Sequence, residues 1–475
     1  MIEEVELKNQ NKSWIIVGIN FLILGLVFLT LSYNSNSDEW FFHVIFIILS
    51  SLIVGNKFIK LISLPKEILF FDLRWIFLFS FWFYYVLGPS LLVFGDKELI
   101  DNTKDVYLVE LELALRINSI HAIGLSGVLI IFSKFKLTWP SNIINKLKKE
   151  IRFFDPMGHR TLIVATSFCL FSLINIFLVR IQYIDKNFLH GIYQIFQHAG
   201  VGFSLILFYY KGKFRNIICL IVLLYLCFYL WSGFYFLDKS AVMAPITFLL
   251  VSYCIKKNSF KLFVFLLVGL FFLIQTLGSF VTFKRSYGTN FEFLETINPT
   301  TSRYNFEIWD RINYMSSQAA ALDLYSDGNG GEGLSNIFWL FVPRFLNKDK
   351  PDVSISSSKF SKKFRKHGGT RDSPGVFVEG YYNYGWIGLI MASFLIGLVL
   401  KIYFVLIQSI IHNKLYPFYF IIFSGIWTAF RIDGLIITDY IGQLIIFLYL
   451  MIFIIFILIL LRPLTVSKNY KLRQK

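Results

Sequence analysis

The stretch FVPRFLNKDKPDVSISSSKFSKKFRKHGGTRDSPGVFVEGYYNYGWIG, residues 341–388, decides how the rest of the chain is interpreted. It forms the second half of a polar interruption that runs from about Lys284 to Tyr384. The sequence on both sides of this interruption consists of long apolar runs. A soluble substrate would meet polar side chains only here, so any chemistry is expected in this stretch.

The composition of the chain is typical of a membrane protein. Hydrophobic residues make up 56% of the 475 positions and aromatic residues 19%, with a mean hydropathy of +0.61. A soluble domain of this composition would aggregate, so the sequence predicts an all-α polytopic membrane protein. The net charge of +16 would suggest nucleic acid in a soluble protein. Basic residues beside membrane spans are expected in any case, so no nucleic-acid partner is predicted.

Twelve apolar runs are long enough to cross a hydrocarbon core of about 30 Å as helices. They cover residues 14–31, 41–62, 75–94, 113–132, 162–179, 192–210, 216–237, 241–255, 260–283, 386–411, 416–430 and 436–461. The first run lacks a small-residue cleavage site, so we expect it to be retained as a helix. The four cysteines all lie inside apolar runs and show neither a disulfide framework nor a zinc spacing.

The loops between these runs alternate in charge. Basic residues are concentrated in one set of loops, at 57–74, 134–160, 211–215, 256–261 and 401–414, and in the tail after 462. The other set, at 34–39, 95–105, 238 and 431–439, is acidic or nearly neutral. By the positive-inside rule, both termini are predicted to be cytoplasmic and residues 284–384 to lie outside the cytoplasmic membrane.

These boundaries divide the chain into three regions: nine spans in residues 1–283, an outer loop at 284–384, and three spans with a cytoplasmic tail in 385–475. The loop is not uniformly polar, because 305–325 and 334–346 carry apolar residues near helical spacing. We expect short helices there that lie at the interface or re-enter the bundle, forming a lid or vestibule. The loop is also basic, and a merely solvated basic face is the alternative, since long loops translocate regardless of charge.

Arginines are the sharpest chemical feature of this loop. Arg285 follows the ninth span, Arg303 and Arg311 lie eight positions apart, and Arg344 ends an apolar segment. Guanidinium groups keep their charge and bind phosphate oxygens in pairs, so a cluster of them at the outer surface would hold a lipid-linked diphosphate. The alternative is contact with lipid headgroups or snorkelling.

Glu379 stands alone in a weakly polar run just before the tenth span. At the mouth of a bundle it could act as a base or orient a sugar hydroxyl, together with Tyr382 and Asn383. Alternatively it only stabilises the amino end of the following helix. Nearby, Gly380, Gly385 and Gly388 permit sharp turns or close packing.

Arg431 and Asp433 are predicted to occupy a short outer turn between the last two spans. They either pair with each other or complete the site from the opposite side. No metal site is predicted, because His367 lacks a His or Cys partner at a useful spacing. Nucleotide and dinucleotide motifs are also missing, so no cofactor is predicted. The spans show no ladder of acids such as a proton-coupled transporter would need.

Two segments resemble motifs of the O-antigen polymerases, which are oligosaccharide repeat-unit polymerases. VPRFLNKDKP (342–351) is similar to a turn of that family, and PGVFVEGYYNYGWIGLIMASFLIGLV (374–399) is similar to its entry into the next span. The remainder of the chain is similar only in topology and hydropathy. The matching positions are Arg344, Lys350, Pro351, Glu379, Tyr382, Asn383 and Gly385.

The resemblance implies a metal-independent, C-type glycosyltransferase that polymerises undecaprenyl-diphosphate-linked repeat units at the outer face of the membrane. Glu379 and Arg344 would be catalytic, Glu379 holding the acceptor hydroxyl and arginine stabilising the leaving diphosphate. At the matching positions Lys350, Tyr382 and Asn383 would bind the diphosphate and glycan. No motif match places the other predicted binding residues: the charge of the outer loop, with the family's general use of outer-loop arginines, indicates Arg285, Arg303 and Arg311, and Arg371 and Arg431 complete the set.

The family also implies two partners, a flippase that delivers repeat units and a regulator of chain length. Two other functions remain open. One is an O-antigen ligase, which would use an outer-loop histidine, and only His367 is available. The other is a transporter or flippase for the lipid-linked oligosaccharide, which should carry charges along its spans.

Overall fold

The computed structural model describes residues 2–34, 41–62, 72–90, 111–151, 211–235 except 213, 314–342 except 332, 373–415 and 418–460, with a few isolated positions between them. This part of the chain is helical and contains no β-strand. Five of its helices are long and apolar enough to cross a membrane: Gln10–Tyr33, Phe41–Leu61, Glu112–Lys134, Val376–His412 and Ile436–Phe456.

The described residues are all-helical, as predicted, and the five helices coincide with five of the twelve predicted runs. Two more runs contain the shorter apolar helices Arg215–Trp231 and Phe420–Phe430. The predicted spans at 162–179, 192–210, 241–255 and 260–283 lie mostly outside the described residues, so the count of twelve stays a prediction.

In chain order the helices are α1 (Ile2–Asn34), α2 (Phe41–Ile62), α3 (Leu73–Phe81), α4 (Leu111–Lys134), α5 (Trp139–Ile151), α6 (Arg215–Tyr235), α7 (Met315–Ser326), α8 (Val376–His412), α9 (Phe420–Phe430) and α10 (Gln443–Leu460). A π-helical turn, Trp82–Leu87, continues α3, and a second, Ile436–Gly442, leads into α10. The 3₁₀ segment Gly333–Phe341 follows α7, so residues 284–384 contain short helices as predicted.

The central helix of the bundle is α4. Its apolar window is 72% buried, whereas that of α2 is 28% buried. Small residues let α1 and α8 approach α4 closely: Gly18 and Gly25 of α1 lie against its side chains, and its own Gly124 and Gly127 face α8. Helices that lack a hydrophobic driving force for association in lipid use such residues to bring their backbones together.

Helix α8 folds back on itself. Tyr384 and Gly385 are not helical, with φ and ψ of −144° and 27° at Tyr384 and of 60° and −141° at Gly385, a conformation that essentially only glycine adopts. A Cβ on Gly380 would lie 2.6 Å from the Cβ of Ala392, and one on Gly388 would collide with the carbonyl oxygen of Gly380. In a straight helix, residues eight apart are separated by about 12 Å. The chain therefore reverses between a short arm, 376–384, and a long arm, 385–412.

The long arm corresponds to the predicted span 386–411 and is about 42 Å long at helical rise, enough to cross a membrane. The short arm lies within the segment predicted as outer loop, so the helix begins at Val376, ten residues before the predicted span. Gly385 and the contact between Gly380 and Gly388 confirm the prediction of a sharp turn and close packing at these glycines.

Candidate functional site

The fold-back of α8 carries Glu379 into the interior of the bundle. Its exposed fraction is 2%, so the residue is buried and does not lie at the mouth of the bundle as the sequence suggested. Oε2 accepts a hydrogen bond of 2.6 Å from the backbone N–H of Ile436, which opens the π-helical turn before α10. Among the described residues, Oε1 receives no hydrogen bond. One oxygen thus anchors the last helix, and the other is available to a ligand.

Residues 431–435 link α9 to that π-helical turn, and they carry an ionic cluster. The Arg431 guanidinium lies 3.3 Å from Asp439 and 3.4 Å from Asp433, measured between nitrogen and carboxylate oxygen. It also lies 5.9 Å from the centre of the Trp427 ring. The predicted pairing of Arg431 with Asp433 is confirmed, and Asp439 joins it as a second acid. The side chain of Arg431 remains 37% exposed, so it is still open to an anionic ligand.

The remaining contacts of Asp439 fix the linker. Its Oδ2 accepts hydrogen bonds from the Leu435 N–H at 2.8 Å and from the Thr438 hydroxyl at 3.3 Å. The carboxylate therefore caps the amino end of the π-helical turn while its other oxygen holds Arg431. Acids are favoured at this end of a helix, because the first N–H groups have no intrahelical partner.

Tyr314, just before α7, donates a hydrogen bond of 3.2 Å to Asp433. Burial raises the pKa of the Tyr314 hydroxyl well above its ordinary value, so this group stays protonated and can donate. Burial likewise raises the pKa of the Asp433 carboxyl, although Arg431 opposes that shift. Burial alone would lower the pKa of Arg431, but Asp439 and Asp433 outweigh it and hold that pKa above its ordinary value. The guanidinium is therefore permanently charged.

Tyr85 joins the same region from the π-helical turn after α3. Its hydroxyl donates a hydrogen bond of 2.5 Å to the carbonyl of Ile432, and the N–H of Val376 donates to the same oxygen at 3.1 Å. A carbonyl oxygen has two lone pairs and can accept both donors. The linker is therefore fixed by α3 and by the start of the short arm.

Tyr382 and Asn383 hold neighbouring backbone in place. The Tyr382 carbonyl accepts a hydrogen bond of 2.9 Å from the N–H of Gly331. The amide side chain of Asn383 accepts from Leu334 N–H at 3.3 Å and donates to the Glu379 carbonyl at 2.7 Å. These bonds attach the segment after α7 to the short arm. Asn383 also lines an open groove of about 610 Å³, and contact of either side chain with substrate stays a prediction.

Six of the predicted site residues lie outside the described part of the chain: Arg285, Arg303, Arg311, Arg344, Lys350 and Arg371. The same is true of His367. Their roles therefore stay predictions. Of the predicted site, the structure brings together Glu379, Asn383, Tyr382 and the linker that carries Arg431.

The sequence did not single out Tyr85, Tyr314 or Asp439. Asp439 could have been found, because an acid inside an apolar run is a signal of function, but the residue was assigned to an outer turn. No local pattern marks Tyr85, whose partner Ile432 is 347 positions away.

This bundle, with a buried carboxylate beside an ionic cluster, defines the chain as a polytopic α-helical membrane protein with an internal polar site. No protein-family model, curated protein or solved structure gives a significant match to it. The resemblance to O-antigen polymerases thus rests on residues 342–351 and 374–399 and stays a prediction.

Proposed function

We propose that the chain polymerises undecaprenyl-diphosphate-linked oligosaccharide repeat units into O-antigen or a related surface polysaccharide at the outer face of the cytoplasmic membrane. The observation that carries this proposal is the bond between Glu379 Oε2 and Ile436 N–H. It places a buried carboxylate beside the linker on which Arg431 lies. In this proposal a base and a permanent cation that are far apart in sequence act in one site.

Each group has a role in glycosyl transfer. The available oxygen of Glu379 would take the proton of the acceptor hydroxyl as the new bond forms at the anomeric carbon. The bond from that carbon to the diphosphate breaks, and undecaprenyl diphosphate leaves. Arg431, held by its two carboxylates, would stabilise the charge that develops on the leaving group. Arg344 is proposed as a second catalytic cation, and the other outer-loop cations would bind the diphosphate. The donor linkage stores the required energy, so no nucleotide is needed.

Transport of a lipid-linked oligosaccharide is the second candidate, and one observation favours it. Charged side chains are buried inside the bundle at Asp72, Arg74, Lys57 and Lys401, although the sequence showed no ladder of acids. The linker 431–435 also interrupts the helical path between α9 and α10. Transporters place charges and broken helices at their binding sites. For the ligase, the described residues offer no comparable observation, and His367 lies outside them.

The test is a gel of surface polysaccharide from cells that lack this chain and are complemented with variants. Glu379→Gln keeps an acceptor for Ile436 N–H but removes the base, and Arg431→Gln removes the cation. Asp327→Asn and Arg215→Gln are matched controls, because both residues are exposed. A polymerase requires that the deletion reduce the ladder to a single repeat unit on a complete lipid core. The wild type and both controls should restore the ladder.

The Glu379→Gln variant should leave the ladder missing at normal protein levels, since a general base contributes a factor of about 10² to 10⁴ to the rate. A full ladder from Glu379→Gln would show that this carboxylate is not the base. If cells that lack this chain carry no glycan at all on the lipid core, the proposed polymerase function is refuted. Lipid-linked polymer accumulating outside the membrane would then identify a ligase, and its absence would favour the transporter.

A further inference from the structure

A second polar cluster lies beside the half of the long arm of α8 that is farther from the bend. It consists of Lys57 on α2, Asp72 and Arg74 at the start of α3, and Lys401 on α8. Their exposed fractions are 5%, 3%, 1% and 8%. Lys401 lies about 24 Å from the bend of α8 at helical rise, so this cluster is separate from Glu379.

The carboxylate of Asp72 is fully engaged. Its two oxygens accept hydrogen bonds of 2.7 Å from Nε and Nη2 of Arg74, and Oδ2 also accepts from the Trp14 indole at 3.2 Å. The remaining nitrogen of Arg74, Nη1, donates to Asn11 at 2.7 Å and to Ser133 at 3.2 Å. This pair is therefore a neutral unit with bidentate geometry, and it leaves no acid for another cation.

Lys57 adds a second positive charge beside this pair. Its ammonium donates a hydrogen bond of 2.8 Å to the Ser13 hydroxyl and lies 4.1 Å from the centre of the Trp14 ring. Arg74 lies 5.2 Å from the centre of the same ring. The two charges are thus within about 10 Å of each other, a distance comparable to the screening length in 0.1 M salt.

Lys401 adds a third positive charge near Arg74. Its ammonium lies 5.0 Å from the centre of the Phe132 ring and 5.3 Å from that of Phe404. Arg74 faces the same two rings, at 4.9 and 6.0 Å. Among the described residues, no carboxylate pairs with Lys401 and no hydrogen-bond acceptor contacts its ammonium.

Counted over the residues that the structure describes, the cluster therefore holds three cations and one carboxylate in a buried place. Contacts with aromatic rings offset only part of the cost of burying a charge, because that cost is several times larger than a cation–π attraction. Buried charges in proteins are paired, neutralised or bound to a ligand of opposite sign. A dianion would match the excess of two positive charges.

We propose that Lys57 and Lys401, the two cations left over beside the Arg74–Asp72 pair, bind a phosphate group. Lysine binds phosphate as a point charge, and its three N–H donors can turn toward the oxygens. The predicted topology places this end of the bundle at the cytoplasmic surface, where anionic lipids supply phosphate groups. A free phosphate has the same chemistry. This site does not depend on the proposed polymerase activity.

The test is the melting temperature of the purified full-length chain in neutral detergent, titrated with three probes. The probes are phosphatidylglycerol, phosphatidylcholine, and inorganic phosphate against chloride at equal ionic strength. A ligand that binds only the folded protein raises the melting temperature. We expect Lys401→Met to need about 10 to 100 times more of the effective probe, because a charge-assisted contact is lost. Lys414→Met, at an exposed position after α8, should respond as the wild type does.

The probes also separate the two sources of phosphate. A response to inorganic phosphate identifies a free anion, whereas a response to phosphatidylglycerol that exceeds the response to phosphatidylcholine, with none to inorganic phosphate, identifies a headgroup. The proposal is wrong if neither phosphatidylglycerol nor inorganic phosphate stabilises the wild type. It is also wrong if Lys401→Met responds at the wild-type concentration.

A second variant covers the case in which Lys401→Met does not fold. Ser133→Asp places a carboxylate where the Ser133 hydroxyl now accepts from Arg74, and so supplies a negative charge internally. We expect this variant to melt at a higher temperature than the wild type without any probe and to respond weakly to added phosphate. An undiminished response would overturn the proposal.

Discussion

The fold-back of α8 can be tested by adding one methyl group where its two arms touch. In Gly388→Ala the new Cβ collides with the carbonyl oxygen of Gly380 and lies 3.2 Å from the Cβ of Tyr384. A backbone carbonyl cannot rotate away as the end of a flexible side chain can. The two arms must therefore separate, and Glu379, one residue before Gly380, must move with the short arm.

The expected cost follows from two opposing effects. Overpacking a close contact costs about 1 to 3 kcal/mol, and the upper part of this range applies because the new Cβ collides with a backbone carbonyl. Replacing a helical glycine by alanine gains about 0.5 to 1 kcal/mol. The net destabilisation is therefore about 1 to 2 kcal/mol, which lowers the melting temperature by a few degrees.

The matched control is Gly55→Ala on α2. Gly55 is also helical, but apart from its own stretch of helix no described atom lies within 4 Å of the position of its added Cβ. Only the propensity gain applies there, so this variant should melt at or slightly above the wild-type temperature. Both variants are compared with the wild type by thermal unfolding in detergent and by the polysaccharide gel. If Gly388→Ala is as stable as Gly55→Ala and gives a full ladder, the two arms do not pack as described.

Two further predictions concern the linker and the orientation of the bundle. Because the pKa of Asp433 is raised above its ordinary value of 3.8, its stabilising effect is complete below pH 3.8 and is lost as the pH rises through the folded-state pKa. The melting temperature of Asp433→Asn should therefore depend less on pH than that of the wild type, and parallel curves would contradict this. Tyr384, 44% exposed at the bend, should react as Tyr384→Cys with an impermeant maleimide on intact cells. Lys414→Cys should react only after the cells are permeabilised, and the wild type measures background labelling. The reverse pattern would show that the predicted topology is inverted.

Local sequence patterns predicted the long helices well. The runs 14–31, 41–62 and 113–132 lie inside α1, α2 and α4, because the length and hydropathy of a span are properties of the segment itself. The glycines around the bend of α8 were correctly associated with a turn and with close packing. A conformation near φ 60° and ψ −141° requires glycine, and the sequence records that requirement at Gly385.

The arrangement of the site could not be predicted in the same way. Whether residues 376–384 form an outer loop or a helix folded into the bundle depends on what they touch. The short arm is held by the Ile432 carbonyl and by Ile436 N–H, both more than 50 positions away. The chemistry and the motif of Glu379 therefore indicated its importance from the sequence, whereas only the structure shows that it is buried.

Three helix irregularities lie close to Glu379, and groups from each form hydrogen bonds with polar groups of the others. They are the π-helical turn that carries Tyr85, the start of the short arm at Val376, and the linker with its π-helical turn at Ile436. An interrupted helix leaves polar backbone groups unpaired, and lipid offers them no partner. Here the Tyr85 hydroxyl and Val376 N–H donate hydrogen bonds to the Ile432 carbonyl, and the Glu379 carboxylate accepts one from Ile436 N–H.

An unbroken α9–α10 helix and a straight α8 would satisfy the same backbone groups without a buried carboxylate. The interrupted arrangement costs the burial of Glu379, and π-helical turns are found frequently at functional sites. If the interruptions served packing alone, a neutral side chain that keeps the acceptor would serve equally well, and Glu379→Gln would retain both stability and function. The proposed activity instead requires that Glu379→Gln keep its stability and lose its function, so the two measurements on one variant separate a structural carboxylate from a catalytic one.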